Sequence, residues 1–233
     1  YATNSVGTTE SAVKTFTTSQ VQVPVVTTPN AATIVNANTY RIWGTHPDDS
    51  VFIHVYADAD NNGAADTTTS LFSSSLSDEG DWNFNMNLTQ NVANNFVVKA
   101  MDTAGNTSEA VNVPTITEDS TPPEFTSNTV VNYAENGTAV AYTAIATDGN
   151  TLSYRLGTTT DKDKLSIDAT SGAVTFNTSP DFENPTDTDK NNSYVIEVIA
   201  TDSAGNQATQ EVTIEVTDVA ENPIVSSKEA SDI

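Results

Sequence analysis

The residues best equipped for chemistry come first in the stretch DADNNGAAD, residues 58–66. Asp58, Asp60 and Asn62 present oxygens at alternate positions, which converge when the backbone curls around a point. Gly63 permits the sharp turn, and Asp66 closes the shell directly or through water. This is the front of the cation-loop pattern D-x-[DN]-x-[DN]-G, whose hard oxygens suit calcium. The twelfth position, usually a bidentate Glu, is Thr69, so the last ligand is lost or comes from elsewhere. The competing reading is a solvated Asx-rich turn, because Asn, Asp and Gly favour turns without any metal. Asp78, Glu79 and Asp81, in SDEGDW, offer a second acidic contributor but read more simply as a turn.

Charge bears on the choice. The chain carries 31 Asp plus Glu against 8 Lys plus Arg, a net charge of −23. Like-charge repulsion excludes nucleic acid and anionic membrane as partners. Such a surface is either a general solubility device in a salty habitat or a set of carboxylates clustered for divalent cations. The acids fall at turns and linkers, which favours the second.

Catalysis has little to stand on. His46 precedes Pro47 in a turn and His54 lies in a strand, and neither accompanies a nucleophile or zinc motif. With no Cys, disulfides, thiolate metal sites and cysteine nucleophiles are excluded. No apolar run is long enough for a membrane helix. The chain is expected to be a non-enzymatic fragment of something longer, since it begins at Tyr1 without Met.

The elements that must position these acids are strands. ATNSVGTTESAV from Ala2, AMDTAGNTSEAV from Ala100 and ATDSAGNQATQEV from Ala200 repeat about one hundred residues apart, with Gly7, Gly105 and Gly205 in register. Each copy reads as strand, Gly turn, strand. WNFNMNL (82–88) alternates apolar and polar residues with a period of two. SVFIHVY, NNFVVKAM, AVAYTAIAT, SYVIEVIAT and EVTIEVT are further strands rich in β-branched and aromatic residues. No stretch carries a sustained helical stripe. The fold class expected is all-β, a tandem of β-sandwiches arranged end to end. Pro-bearing segments 21–30, 117–125 and 218–225 mark the boundaries. Residues 1–22 then close a preceding repeat, 23–119 and 120–222 are two complete sandwiches, and 223–233 begins a linker. Trp43 and Trp82 are expected in or against the core.

In the second sandwich, YAENGT (133–138), ATDGNTLSY (146–154), LSIDATSGAVTF (165–176), PDFEN (180–184), VIATDSAGN (198–206) and TDVAENP (217–223) occur in order. Together they resemble the cadherin repeat over residues 122–223. The resemblance implies calcium at both poles of the module. At the C-terminal pole it implies ligation by Glu135, Asp181, Glu183, Asp218, Glu221 and Asn222. At the N-terminal pole it implies Asp148, Asn150 and Asp202, facing a linker that holds Glu118 and Asp119. Asn150 stands where the family has a second Asp, and Ala220 where it has a linker Asn. The linker is also one residue shorter before Pro223, which implies fewer ions per junction than in animal cadherins.

YRIWGTHPDDSVFIHVYADAD, GDWNF and VVKAMDTAGNTS resemble the bacterial Ig-like repeats of giant surface adhesins. The 58–66 loop, flanked by strands and so no EF-hand, looks like the calcium loops in hairpins of such repeats. These resemblances imply a calcium-rigidified extender of a large RTX-type adhesin, exported to the cell surface and supporting attachment or biofilm. The alternative is a ligand-binding module for a sugar, a peptide or a second copy. For that module, the long 58–81 region and its aromatic Phe72 are the place to look. The expected partners are neighbouring repeats of the same chain and, through other domains, a host or surface ligand. The segment itself is expected to be monomeric.

Overall fold

The computed structural model describes residues 20–46, 50, 52–75 and 80–221. Residues 1–19, the linker expected over 223–233, the candidate ligand Asn222, and Asp78 and Glu79 lie outside the described residues.

The first sandwich is built from β1 (Val25–Thr28), β2 (Thr33–Val35), β3 (Thr39–Thr45), β4 (Phe52–Ala57), β5 (Phe72–Ser75), β6 (Asp81–Asn87), β7 (Ala93–Met101) and β8 (Val111–Glu118). A three-stranded sheet runs β1-β3-β6, and a five-stranded sheet runs β2-β8-β7-β4-β5. The period of two in β6 sends Trp82, Phe84 and Met86 inward and leaves the intervening asparagines exposed. The Trp82 indole N–H donates to the Thr45 carbonyl at 3.0 Å, so the ring is buried without an orphaned donor. Trp43, on β3, is half-buried. Across β4 and β7, Ile53 opposes Ala100 and Val55 opposes Val98, all four fully buried. Phe72 of β5 meets Phe84 of β6 with ring centroids 5.9 Å apart, which joins the two sheets.

The second sandwich contains β9 (Glu124–Phe125), β10 (Val130–Ala134), β11 (Tyr142–Thr143), β12 (Ala146–Thr147), β13 (Ser153–Leu156), β14 (Leu165–Ile167), β15 (Ala173–Phe176), β16 (Ser193–Thr201) and β17 (Gln207–Thr217). Its sheets run β10-β17-β16-β13, β11-β15-β14 and β9-β12. Tyr194, Ile196 and Val198 of β16 pack with Val212, Ile214 and Val216 of β17, Val174 and Leu165. Each such aliphatic side chain contributes about 1.5–3 kcal/mol by leaving water. The chain is all-β, and among the described residues the one helical turn is a 3₁₀ segment, Lys162–Lys164.

AVAYTAIAT, expected as one strand, forms two short ones. β11 pairs with β15 while β12 pairs with β9, so the segment changes sheets near buried Ala144. The Ala144 N–H goes to the Gly172 carbonyl at 2.9 Å, outside both ladders. Apolar alternation reports which face is buried, and it is blind to a change of partner strand.

By compactness the chain divides into two units. Among the described residues, one gathers 20–32 with Arg41–Met86 and Asn95–Thr115; the other gathers Thr33–Tyr40, Asn87–Asn94 and 116–221.

Candidate metal centres

In the 58–66 loop the structure brings Asp58, Asp60 and Asp66 together, each offering an oxygen within 4.8 Å of the others. Asp58 is buried, and its two oxygens accept the Asn62 and Gly63 N–H groups at 3.0 Å each. Asn61 and Gly63 take positive φ, 54° and 83°, which is how the loop curls inward. Asn62 donates its side-chain amide to Asp60 at 2.7 Å, and its own oxygen accepts the Ala64 N–H at 2.8 Å. The Asp66 N–H returns to the Ala57 carbonyl at 3.0 Å, closing the loop where β4 ends. Oxygens that share a calcium ion at about 2.4 Å lie no more than about 4.8 Å apart, so oxygens this close can reach a common ion.

A second carboxylate group lies within the second compact unit. Asp119, Asp148 and Asp202 come from segments far apart in sequence, yet their ligand oxygens also lie within 4.8 Å of one another. Asp119 and Asp202 are buried, and Asp148 is half-buried. Asp202 opens the turn between β16 and β17, accepting the Asn206 N–H and side-chain amide at 2.8 Å each. Asn206, also buried, donates on to the Asp119 carbonyl at 3.0 Å, and Asn36 donates to its oxygen. Asn150 hands its N–H to Asp148 at 2.8 Å and its side-chain amide to Asp119. Where a second Asp would add charge, this Asn therefore bridges two of the existing carboxylates. Two unit charges at this separation repel by about 1 kcal/mol in water-like surroundings and by about 3–4 kcal/mol at an effective dielectric near 20. Among the described residues the ion pair formed is Lys162 with Asp163, at 3.5 Å, so no side-chain cation neutralises the group.

The third group is Glu135, Glu183 and Glu221, again within 4.8 Å. Glu135 is buried and accepts the Val219 and Phe182 N–H groups at 2.8 and 2.7 Å. Burial raises the Glu183 carboxyl above its ordinary range, and the charges of Glu135, Asp218 and Glu221 push the same way. Asp181 and Asp218 stand outside this threesome. Asp181 is instead occupied by Asn184, which donates its N–H and side-chain amide at 3.0 Å each. That bonding, with Asn184 first, holds the Asp181 carboxyl below its usual value.

Three features escape a reading by motif. Glu118 is buried beside Asp119, with the Asn91 N–H on one oxygen at 2.7 Å. Asn206 holds two carboxylate-bearing segments at once. The third is a second copy of the 58–64 turn at 187–193. Asp187 accepts the Asn191 and Asn192 N–H groups, Asn191 donates its amide to Asp189 at 2.8 Å, and the Asn191 oxygen accepts the Ser193 N–H at 2.7 Å. Lys190 and Asn192 supply the positive φ, 59° and 66°. The spacing D-x-D-x-N at 187–191 was the available signal, but Asn192 stands where the pattern has Gly. Unlike the 58–66 loop, this turn gathers no group of three carboxylates within 4.8 Å among the described residues.

No family model matches the chain, and no curated protein matches it. Among solved structures it is similar to Drosophila N-cadherin EC1-3 and EC1-4, each at 20% identity with a TM-score of 0.39, covering 81% and 85% of this chain. The chain spans 64% and 51% of those two fragments, less than two thirds of either. It is also similar to human mucin-like protocadherin EC1-2, at 14% identity and a TM-score of 0.37, covering 84% of this chain and 98% of that one.

Proposed function

We propose that this chain is a calcium-binding extender segment of a large extracellular adhesin of the RTX type, with repeats over 23–119 and 120–222. The observation that carries the reading is the convergence of Asp119, Asp148 and Asp202. Three acids from separate segments share one spot without a side-chain cation. Hard oxygens at this spacing fit a calcium ion, which would supply the missing positive charge there. Asp119, Asp148 and Asp202 would hold it, with Asn150 and Asn206 orienting them. Asp58, Asp60, Asn62 and Asp66 would hold a local ion that stiffens one loop. Glu135, Glu183 and Glu221 would hold one at the other pole, where Asp181, Asp218 and Asn222 belong by motif.

The mechanism is electrostatic. Without calcium the acids repel, and the 118–121 segment is tied down by a few hydrogen bonds. With calcium, that segment is fixed against the 148–150 and 202–206 turns, stiffening the passage from one repeat to the next. Extracellular modules bind calcium with dissociation constants of about 10⁻⁴–10⁻³ M, so the sites would fill only after export. The role is structural rather than enzymatic. The ligand-binding alternative gains no support from Phe72, whose ring is committed to Phe84.

Thermal melts in calcium and in chelator, with hydrogen exchange on both samples, test the reading. Calcium is expected to raise the melting temperature and to protect amides at 118–121, 148–150 and 202–206. Unchanged melting and exchange would make the acidic groups solvated turns.

A further inference from the structure

Glu118 closes β8 and is 1% exposed. Its Oε2 accepts the Asn91 N–H at 2.7 Å, whereas its Oε1 is buried and meets no hydrogen-bond donor. A buried acceptor without a partner costs about 1–3 kcal/mol, and more when charged. This oxygen therefore needs a compensating group. Glu118 lines a cavity of about 500 Å³ with Asn91, Asp119, Glu124, Asp148 and Asn150, and no lysine or arginine lines it. We propose that Glu118 Oε1 is an inner ligand of a divalent cation of the calcium class bound in this cavity, while Oε2 stays on Asn91. This rests on the calcium reading above and adds a ligand outside the Asp119–Asp148–Asp202 group.

The arrangement links cation binding to the neighbouring turn. Asn91 holds a positive φ of 56°, and its side-chain oxygen accepts the Ser120 N–H at 3.0 Å and the Thr121 hydroxyl at 3.1 Å. One residue thus grips the 118–121 segment from both sides, and its own amide is held by the carboxylate that faces the cation. A cation on Oε1 polarises that carboxylate and reports its arrival at the Asn91 N–H.

The test is a calcium titration of the full chain by calorimetry, on wild type, E118Q and D202N. Gln keeps a carbonyl oxygen for the Asn91 N–H and places an uncharged amide in the cavity. E118Q is therefore expected to melt no lower than wild type in chelator, yet to lose about tenfold or more in calcium affinity at one site. In wild type, the Asn91 amide resonance is expected to shift as that site fills, a readout that needs no variant. An E118Q isotherm that superimposes on wild type overturns the inference, as does an Asn91 resonance that stays still while Asp202 and Asn206 move. If D202N loses binding and E118Q does not, the calcium reading stands and only Glu118 falls. If wild type binds no calcium, both fall.

Discussion

Asp102 and Asp202 build the same Asp–Asn turn, with one further bond at Asp102 from the Ala104 N–H at 2.9 Å. Each accepts the N–H and the side-chain amide of the asparagine four residues on, all at 2.8 Å, and each is followed three residues later by a glycine with positive φ. Asn106 is the main reason that the Asp102 carboxyl sits below its ordinary value. What separates the two is company: Asp119 and Asp148 stand beside Asp202 alone. The turn is thus a structural device of the repeat, and of these two copies one joins a group of three carboxylates. Replacing either Asp by Asn costs one acceptor, but at Asp202 it also relieves repulsion when no metal is present. In chelator D202N should therefore melt closer to wild type than D102N does. In calcium at a hundredfold excess over its dissociation constant the order should invert, D202N forfeiting up to about 2.7 kcal/mol. The same order in both buffers would remove Asp202 from the metal group.

In the 58–66 loop a folding role and the proposed ligand role fall on neighbouring acids. Asp58 is 1% exposed and satisfies two backbone N–H groups, so D58A should cost about 1–3 kcal/mol already in chelator, and more in calcium. Asp60 is exposed and bonds only to Asn62. D60N should leave the melting temperature in chelator unchanged and reduce only the calcium-dependent rise. Paired melts of the two variants decide it, and an equal loss for D60N in both buffers would make the loop a plain turn.

How much of this was legible follows from how each site is assembled. Asp58, Asp60, Asn62 and Asp66 come from one short loop, so their spacing alone names them. Trp82, Phe84 and Met86 declare a buried face by alternation, and the repeat of Ala100 and Ala200 exposes the Asp202 turn. Glu118 belongs to no local pattern, and Asn206, although it ends the repeated D-x-x-G-N turn, carries no mark there of its bond to Asp119. Their role exists only because β8, the 88–94 turn and the β16–β17 turn converge, and linear sequence does not record that distance. Asp181, which its motif names, accepts the N–H and amide of Asn184 and lies outside the Glu135, Glu183 and Glu221 group, a distance that the motif does not record.

His54 gives the metal-free chain a pH dependence of defined sign. Both ring nitrogens are buried without partners between Phe52 and Tyr56, and burial pushes its pKa below 6.5. Lys99 stands opposite it on β7 and adds no acceptor. The folded state therefore favours the neutral ring. The resulting stability is intact above 6.5 and is lost as pH falls through the window between 6.5 and the lower folded value. Denaturant unfolding in chelator, from about pH 8 to about pH 5.5, should show wild type losing more stability than H54Q. Parallel curves for the two proteins would mean that His54 is protonated at no cost.

Three glycines with positive φ distinguish backbone strain from packing. Gly105 and Gly205, at 85° and 91°, have open space where a Cβ would stand. Gly172, at 70°, has the Ala144 carbonyl there, on the segment where the chain leaves β11 for β12. G105A pays only for the left-handed backbone, about 1–2 kcal/mol. G172A pays that and must also push away a buried neighbour whose N–H is bonded to Gly172 itself, a further cost of about 1–3 kcal/mol. Equilibrium unfolding of both variants measures the difference. If G172A costs no more than G105A, the contact with Ala144 is not what holds the sheet change in place.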